Sequence, residues 1–490
     1  MLRVMNMIVP FIMRTVMLHC LGTEYLGLNG LLRSILSFLN LAELGAGSAM
    51  VFSLYKPIAE DDTKTVCALL KLYRSFYLIL GLVIAAAGTV LAPFLPGLIK
   101  GGLPQDMNLY ILYFMNLAST VLTYWLFAYK QCLLSAYQRN DVSSKISLAV
   151  YAAEYALKMA ALVLLRNYYL YLLIQLLKQI SLNLLIARRV DQLFADATPR
   201  GSLPRETVRT IAGRVRDLFT VKVSAVIFKA ADTLVVSSFM GLTALAVYQN
   251  YEYIVTALIT LLEVLVTACV AGVGNSLITE SREKNYRDLE RLSLLYCWAT
   301  GVCASMLLCM CQPFMALWMG KENLLSFGHV ICFAVCFYAM SLHQFLNMFK
   351  DAAGIWRQDR WRPLVGALLN LGLNLLTVGW LGLYGVLLSS VISVAVVQLP
   401  WLIHNLFRHV FSPKNLRRYV LMFCGFAAAA LISCAVSIGV CSSIHLAPWP
   451  ALLLNACVGF LAPNVLFLAV FGKHPVFQDC IAQIKRVFLT

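Results

Sequence analysis

Ten ionisable side chains stand inside stretches of this chain that are otherwise apolar. They are the cations Arg14, Arg33, Lys158, Lys178 and Lys229 and the carboxylates Glu43, Glu154, Asp232, Glu252 and Glu263. Arginine in such a place suits phosphate, because its planar fork matches the oxygens. A carboxylate suits a sugar hydroxyl or a coupling cation such as a proton or sodium ion. Spacing sorts the ten. Glu154 and Lys158 are four apart and Lys229 and Asp232 three apart, so each pair can neutralise itself on its own helix. Arg14, Arg33, Lys178, Glu43, Glu252 and Glu263 have no such local partner. Glu252 and Glu263 are 11 apart, close to three helical turns, and share a face. Pairing across helices, such as Arg33 with Glu43 or Glu252, is the alternative to a working site. The first-half charges sum to +2 and those from Lys229 to Glu263 to −2, which predicts one wall for an anion and another for a cation or proton.

Other chemistry is thin. There is no Walker loop to hold ATP, and no nucleophile sits in an evident constellation with a base, so no enzyme activity and no cofactor are expected. Of the seven histidines only His343 lies deep in an apolar run, where a core role is the default. The 15 cysteines are scattered. Cys309-Met-Cys311 and Cys332-x3-Cys336 have no histidine or carboxylate beside them, so no metal site is expected.

Charges so placed need elements that bury them. Apolar residues make up 61% of the 490 and charged residues 13%, about half the charged share of a soluble domain. Residues 292–318, 384–403 and 450–472 contain no Asp, Glu, Lys or Arg; a bilayer core takes ~20 such residues per helix. The alternating ten-residue pattern of a membrane barrel is absent. Fourteen membrane helices are predicted, near 2–21, 28–54, 73–97, 108–129, 146–166, 168–187, 219–240, 246–275, 292–318, 327–349, 363–379, 384–403, 419–441 and 450–472. A central charge costs ~2.5–3.5 kcal/mol on insertion scales. All ten intramembrane charges fall in the first eight segments, so a shared aqueous cavity is the economical reading.

The net charge of +16 suggests nucleic acid at first sight, but its distribution argues for membrane topology instead. Connections on one side of the predicted helices, with the C-terminal tail, hold thirty Lys and Arg residues. The opposite connections hold three, Lys100, Arg166 and Lys321. Lys and Arg resist translocation, so the rich side is cytoplasmic and an even helix count puts both ends there. No secretory cleavage site is evident, and the first apolar segment reads as a retained helix.

The connection 188–218 is the longest. Val208, Ile211, Val215, Leu218 and Phe219 recur in it at helical spacing between Arg205, Arg209, Arg214 and Arg216, as in a helix lying on anionic membrane lipids. The halves around it repeat at an offset of roughly 220 residues. Leu21-Gly22 before Leu26-Gly27-Leu28-Asn29 answers Met240-Gly241 before Ala246-Val247-Tyr248-Gln249, and Tyr129-Lys130 answers Phe349-Lys350. Six helices per repeat give the halves one orientation. The predicted organisation is a lobe over 1–187, a cytoplasmic amphipathic linker over 188–218, a second lobe over 219–404, two accessory helices in 419–472 and a cytoplasmic tail over 473–490.

Phe11-Ile12-Met13-Arg14-Thr15, Leu21 to Gly30, Ala42-Glu43-Leu44-Gly45, Tyr55-Lys56-Pro57, Ala136-Tyr137-Gln138, Asp232, Tyr248 to Tyr251 and Gly272 to Asn275 carry a resemblance. The chain resembles the bacterial polysaccharide and O-antigen flippase branch of the multidrug/oligosaccharidyl-lipid/polysaccharide superfamily. That resemblance implies an all-α, MATE-like membrane protein of two parallel-repeat lobes and two accessory helices. It implies alternating access that turns undecaprenyl-diphosphate-linked oligosaccharide outward across the plasma membrane, alongside other polysaccharide-assembly membrane proteins. Arg14 and Arg33 fit the cations that line the cavity near the diphosphate, with Lys178 and Lys229 extending the basic path. Relatives usually carry residues before the first helix, so Met1 is expected to be a mis-assigned start. A cation-coupled multidrug exporter shares the architecture, but that class often has a carboxylate in its first helix, where this chain has Arg14. A glycan polymerase or ligase would need a large outer loop, and the outer connections here are short.

Overall fold

A computed structural model describes residues 2–40, 46–104, 107–444 and 448–479. No strand occurs among the described residues. The helices begin with α1 (Leu2–Leu21), α2 (Thr23–Leu39), α3 (Ala46–Ala59), α4 (Thr63–Leu91) and α5 (Leu109–Trp125). They continue with α6 (Ala128–Ala136), α7 (Asn140–Leu164), α8 (Tyr168–Leu193), α9 (Arg205–Met240) and α10 (Leu242–Thr279). Then come α11 (Arg282–Met319), α12 (Phe327–Ala353), α13 (Trp356–Asp359) and α14 (Arg362–Leu381). The last are α15 (Leu383–Ile392), α16 (Leu399–His409), α17 (Leu416–Ser442) and α18 (Pro448–Phe471).

Each of the fourteen predicted segments falls on helix, though not always on one. The described parts of segment 28–54 lie in α2 and α3, and segment 108–129 bends by 51° between α5 and α6. By length and composition 11 described helices can cross a bilayer, or 12 with that bent pair as one span. The bend has a backbone cause: Phe127 takes a left-handed φ of 59° at the start of α6. The surface is what lipid requires. Trp380 is 93% exposed, Leu164 76% and Leu376 74%, among many other bare apolar side chains that water would not tolerate as a contiguous surface. This is a multi-pass membrane protein.

The chain divides into two compact units, Met1–Ala246 and Val247–Thr490. The boundary lies inside α10, so α9 belongs to the first unit, where it packs on α2 and α3. The amphipathic stretch from Arg205 is continuous with the following span in α9, a helix of 36 residues. At 1.5 Å per residue that is about 54 Å, well beyond an apolar core of ~30 Å.

Two glycines make joints between successive helices. Gly22, between α1 and α2, has φ 104° and ψ 174°; Gly241, between α9 and α10, has φ 92° and ψ 178°. Only glycine enters that region readily. The paired Leu-Gly and Met-Gly of the sequence repeat are therefore the same turn made twice. Gly27 also has no room for a side chain, since a Cβ there would collide with the Leu242 carbonyl oxygen. Lys130 and Lys350, another repeated pair, behave alike within their own units. Lys130 Nζ stands 2.6 Å from Asp191 and Lys350 Nζ 3.0 Å from Asp351.

In the second unit α11 is the packed core element, with α12, α17 and α18 against it. Small residues allow the approach, as is usual between membrane helices. Gly301 faces Ala430, Gly459 lies against the Met306 backbone, and Ser305 donates to Ser437 at 2.8 Å. The first residues of the C-terminal tail fold back on α11, with Phe477 beside Trp298 and Arg291 bonded to Asp479 at 2.9 Å.

Candidate functional site

Two of the sequence-predicted cations converge in the first unit on one carboxylate. Glu154 and Lys158 lie one turn apart on α7, and their Oε1 and Nζ are 2.8 Å apart. Both are buried, at 7% and 3% exposure. Lys158 is tied on every side. It donates to Gln175 Oε1 at 3.3 Å and sits 4.2 Å over the Tyr171 ring, both on α8. Gln175 in turn donates to Asn116 at 3.3 Å, and Asn116 to the Leu112 carbonyl at 2.9 Å. The chain of contacts ends on backbone of α5, which fixes Lys158 in place.

Lys178 is held more loosely. Its Nζ is 3.8 Å from Glu154 Oε2 and 5.3 Å from the Tyr151 ring, with no hydrogen bond among the described residues. A pair at that distance attracts by about 4 kcal/mol at an effective dielectric of 20. Removing two ions from water costs several kcal/mol each. The pair is therefore close to balance, and a better acceptor can displace it. Arg33 is exposed on α2 and has no ion pair or hydrogen bond among the described residues. Its charge nonetheless reaches Tyr155 on α7 and Tyr168 and Lys178 on α8. Asn29, one turn before Arg33, accepts from the Tyr168 hydroxyl at 3.3 Å and ties α2 to α8. Lys158 and Lys178 thus share one carboxylate within a tyrosine-rich wall, a surplus of one positive charge, with Arg33 in electrostatic reach of Lys178.

The other expected residues are distributed differently. Arg14 is half-buried on α1, which packs on α7; Arg14, Asp232 and Glu252 each engage a neighbour. Lys229 is exposed, and among the described residues no ion pair joins it to Asp232. The local neutralisation open to those two on spacing is thus not made. Glu263 is exposed on α10, within electrostatic reach of Tyr296 on α11. Glu43 lies outside the described residues. Gln175, Asn116, Tyr151 and Tyr171 were not singled out from the sequence. Their signal was spacing, because Tyr151 precedes Glu154, and Gln175 precedes Lys178, by one turn.

A second polar cluster was missed altogether. Arg362, counted in the sequence as a cytoplasmic-connection cation, is 1% exposed. Its Nε donates to both oxygens of Asp359 at 2.8 and 2.9 Å, its Nη2 to Asn347 at 2.8 Å, and its Nη1 to His343 Nε2. Asn405 completes the Asp359 shell at 3.0 Å. The His343 imidazole contacts both Arg362 and Asn347. His343 is therefore a core histidine that joins α12 to α14.

No protein-family model and no curated protein matches the chain. Solved structures do match. A lipid II flippase, MurJ, in an inward closed conformation aligns with a TM-score of 0.71 and 13% identity, over 96% of this chain and 98% of that one. An inward-facing multidrug resistance MATE family transporter of the MOP superfamily gives 0.67 at 15% identity, over 85% and 96%. The fold is MATE-like. A point mutant of the Vibrio cholerae MATE transporter VcmN gives 0.58 at 12% identity over 83% and 94% of the two chains. At such identities the MATE-like likeness concerns backbone, so the chemistry of the site rests on this chain's own side chains.

Proposed function

We propose that this chain is a bacterial plasma-membrane flippase that moves undecaprenyl-diphosphate-linked oligosaccharide outward by alternating access, for polysaccharide assembly. The observation that carries the reading is the surplus of positive charge formed by Lys158 and Lys178 on Glu154, with Arg33 in electrostatic reach of Lys178, inside helices that otherwise belong to lipid. Burying such charge is costly, and a diphosphate is an apt counter-charge for it. Tyrosines Tyr151 and Tyr155 suit the apolar faces of sugars. Arg14 and Lys229 extend the basic path, and Glu43, Asp232, Glu252 and Glu263 serve sugar contact or cation coupling. The likeness to a flippase named for lipid II supports a lipid-linked substrate. Both termini are assigned to the cytoplasm by the charge asymmetry.

The cation-coupled multidrug exporter is the second reading, supported by the MATE transporters of the same fold and by the buried carboxylate Asp232. A deletion strain scored for lipid-linked oligosaccharide on each face of the membrane separates the two. Accumulation on the inner face, relieved by this gene, supports the flippase. Normal delivery together with a changed drug susceptibility supports the exporter.

A further inference from the structure

We propose that Glu154 is the internal counter-ion of the anion site, holding Lys178 while the site is empty and surrendering it to a phosphate oxygen when a lipid diphosphate binds. The inference rests on the flippase reading, and the geometry supplies its logic. The two oxygens of Glu154 do different work. Oε1 is committed to Lys158 at 2.8 Å, and Lys158 is itself fixed by Gln175 and the Tyr171 ring. Oε2 meets Lys178 at 3.8 Å, beyond a hydrogen bond, so this contact is the weak link of the cluster. Lys178 retains all three ammonium donors for another acceptor, and phosphate oxygens accept such charge-assisted bonds strongly. Arg33, without an ion pair among the described residues, adds the planar fork that Lys178 lacks. In this arrangement Lys158 and the inner oxygen of Glu154 are scaffold, Lys178 is the group that changes partner, and Arg33 is a cation that gains one. Glu154 is a positioning residue: it keeps a buried lysine charged and aimed without substrate, and it limits affinity so that product can leave.

The test is equilibrium binding to the purified full chain in nanodiscs, with undecaprenyl diphosphate as probe and uncharged undecaprenol as control. Removing one negative charge beside Lys178 should tighten diphosphate binding about tenfold in Glu154→Gln, the order that a neighbouring charge exerts on an ionic equilibrium, and leave undecaprenol unchanged. A merely structural carboxylate would weaken binding instead. Because Glu154→Gln leaves Lys158 buried without its ion pair, the double variant Glu154→Gln/Lys158→Gln removes both buried charges and should also bind more tightly than wild type. In a Lys178→Ala background Glu154→Gln should give no gain. Wild-type binding of the diphosphate with no tightening in either variant overturns the counter-ion role and leaves the flippase reading standing. A wild-type chain that discriminates nothing between diphosphate and undecaprenol overturns both.

Discussion

At the scale of single residues the account turns on which intramembrane charges are committed and which remain available. Lys158 is committed to Glu154, Gln175 and Tyr171, whereas Lys178 and Arg33 are not so tied. Lys178→Ala and Arg33→Ala should therefore each lower lipid-diphosphate flipping by tenfold or more, on the order of 1.4 kcal/mol, with little change in thermal stability. Flipping assays and melting curves on the same detergent-solubilised preparations check both halves of that expectation. The Arg362 cluster should behave in the opposite way. Arg362→Leu strands the 3%-exposed carboxylate of Asp359 and should cost about 3–5 kcal/mol, while Arg362→Leu with Asp359→Leu should recover much of it. A melting series across the single and double variants reads this directly. The sequence made the intramembrane charges conspicuous, because each interrupts an apolar run. It did not separate committed from free cations, since Gln175 and Asn116 come from other helices. Arg362 was hidden because it lies at the start of a helix, where a connection cation is the ordinary reading.

At the scale of elements the segment pattern was legible because apolar length is dictated by the bilayer. Breaks within segments were less so. The 51° bend between α5 and α6 has no proline to announce it. The glycine joints are legible in the sequence as a repeated Leu-Gly and Met-Gly. Gly22→Ala should cost about 1–3 kcal/mol from backbone strain alone, since nothing lies within 4 Å of its added Cβ. Gly241→Ala should cost more, because the new Cβ would also meet the Lys100 carbonyl oxygen at 2.7 Å. Comparing the two melting shifts separates strain from collision; equal shifts would mean that the α9–α10 joint relaxes freely.

At the scale of the whole molecule, charge patterning and packing divide the chain in slightly different places. The sequence places a boundary before residue 219, where basic connection gives way to apolar run; packing places it at Ala246, inside α10. The physical reason is that α9 finds its partners in α2 and α3, which composition does not reveal. The basic asymmetry makes a further prediction: single cysteines in a cysteine-free background at Ser202 and Ser412 should react with an impermeant thiol reagent only from the cytoplasmic face. One at Gly102 should react only from the outside.

The central claim is that the chain moves a lipid-linked diphosphate, and reconstitution tests it most directly. Purified chain in proteoliposomes should speed the transfer between leaflets of a short polyprenyl-diphosphate disaccharide, read by quenching with a membrane-impermeant reagent. The acceleration should fall to the empty-liposome rate in the Arg33→Ala/Lys178→Ala double variant. Wild-type protein that leaves the diphosphate at the empty-liposome rate while driving a small organic cation down an imposed ion gradient would contradict the account.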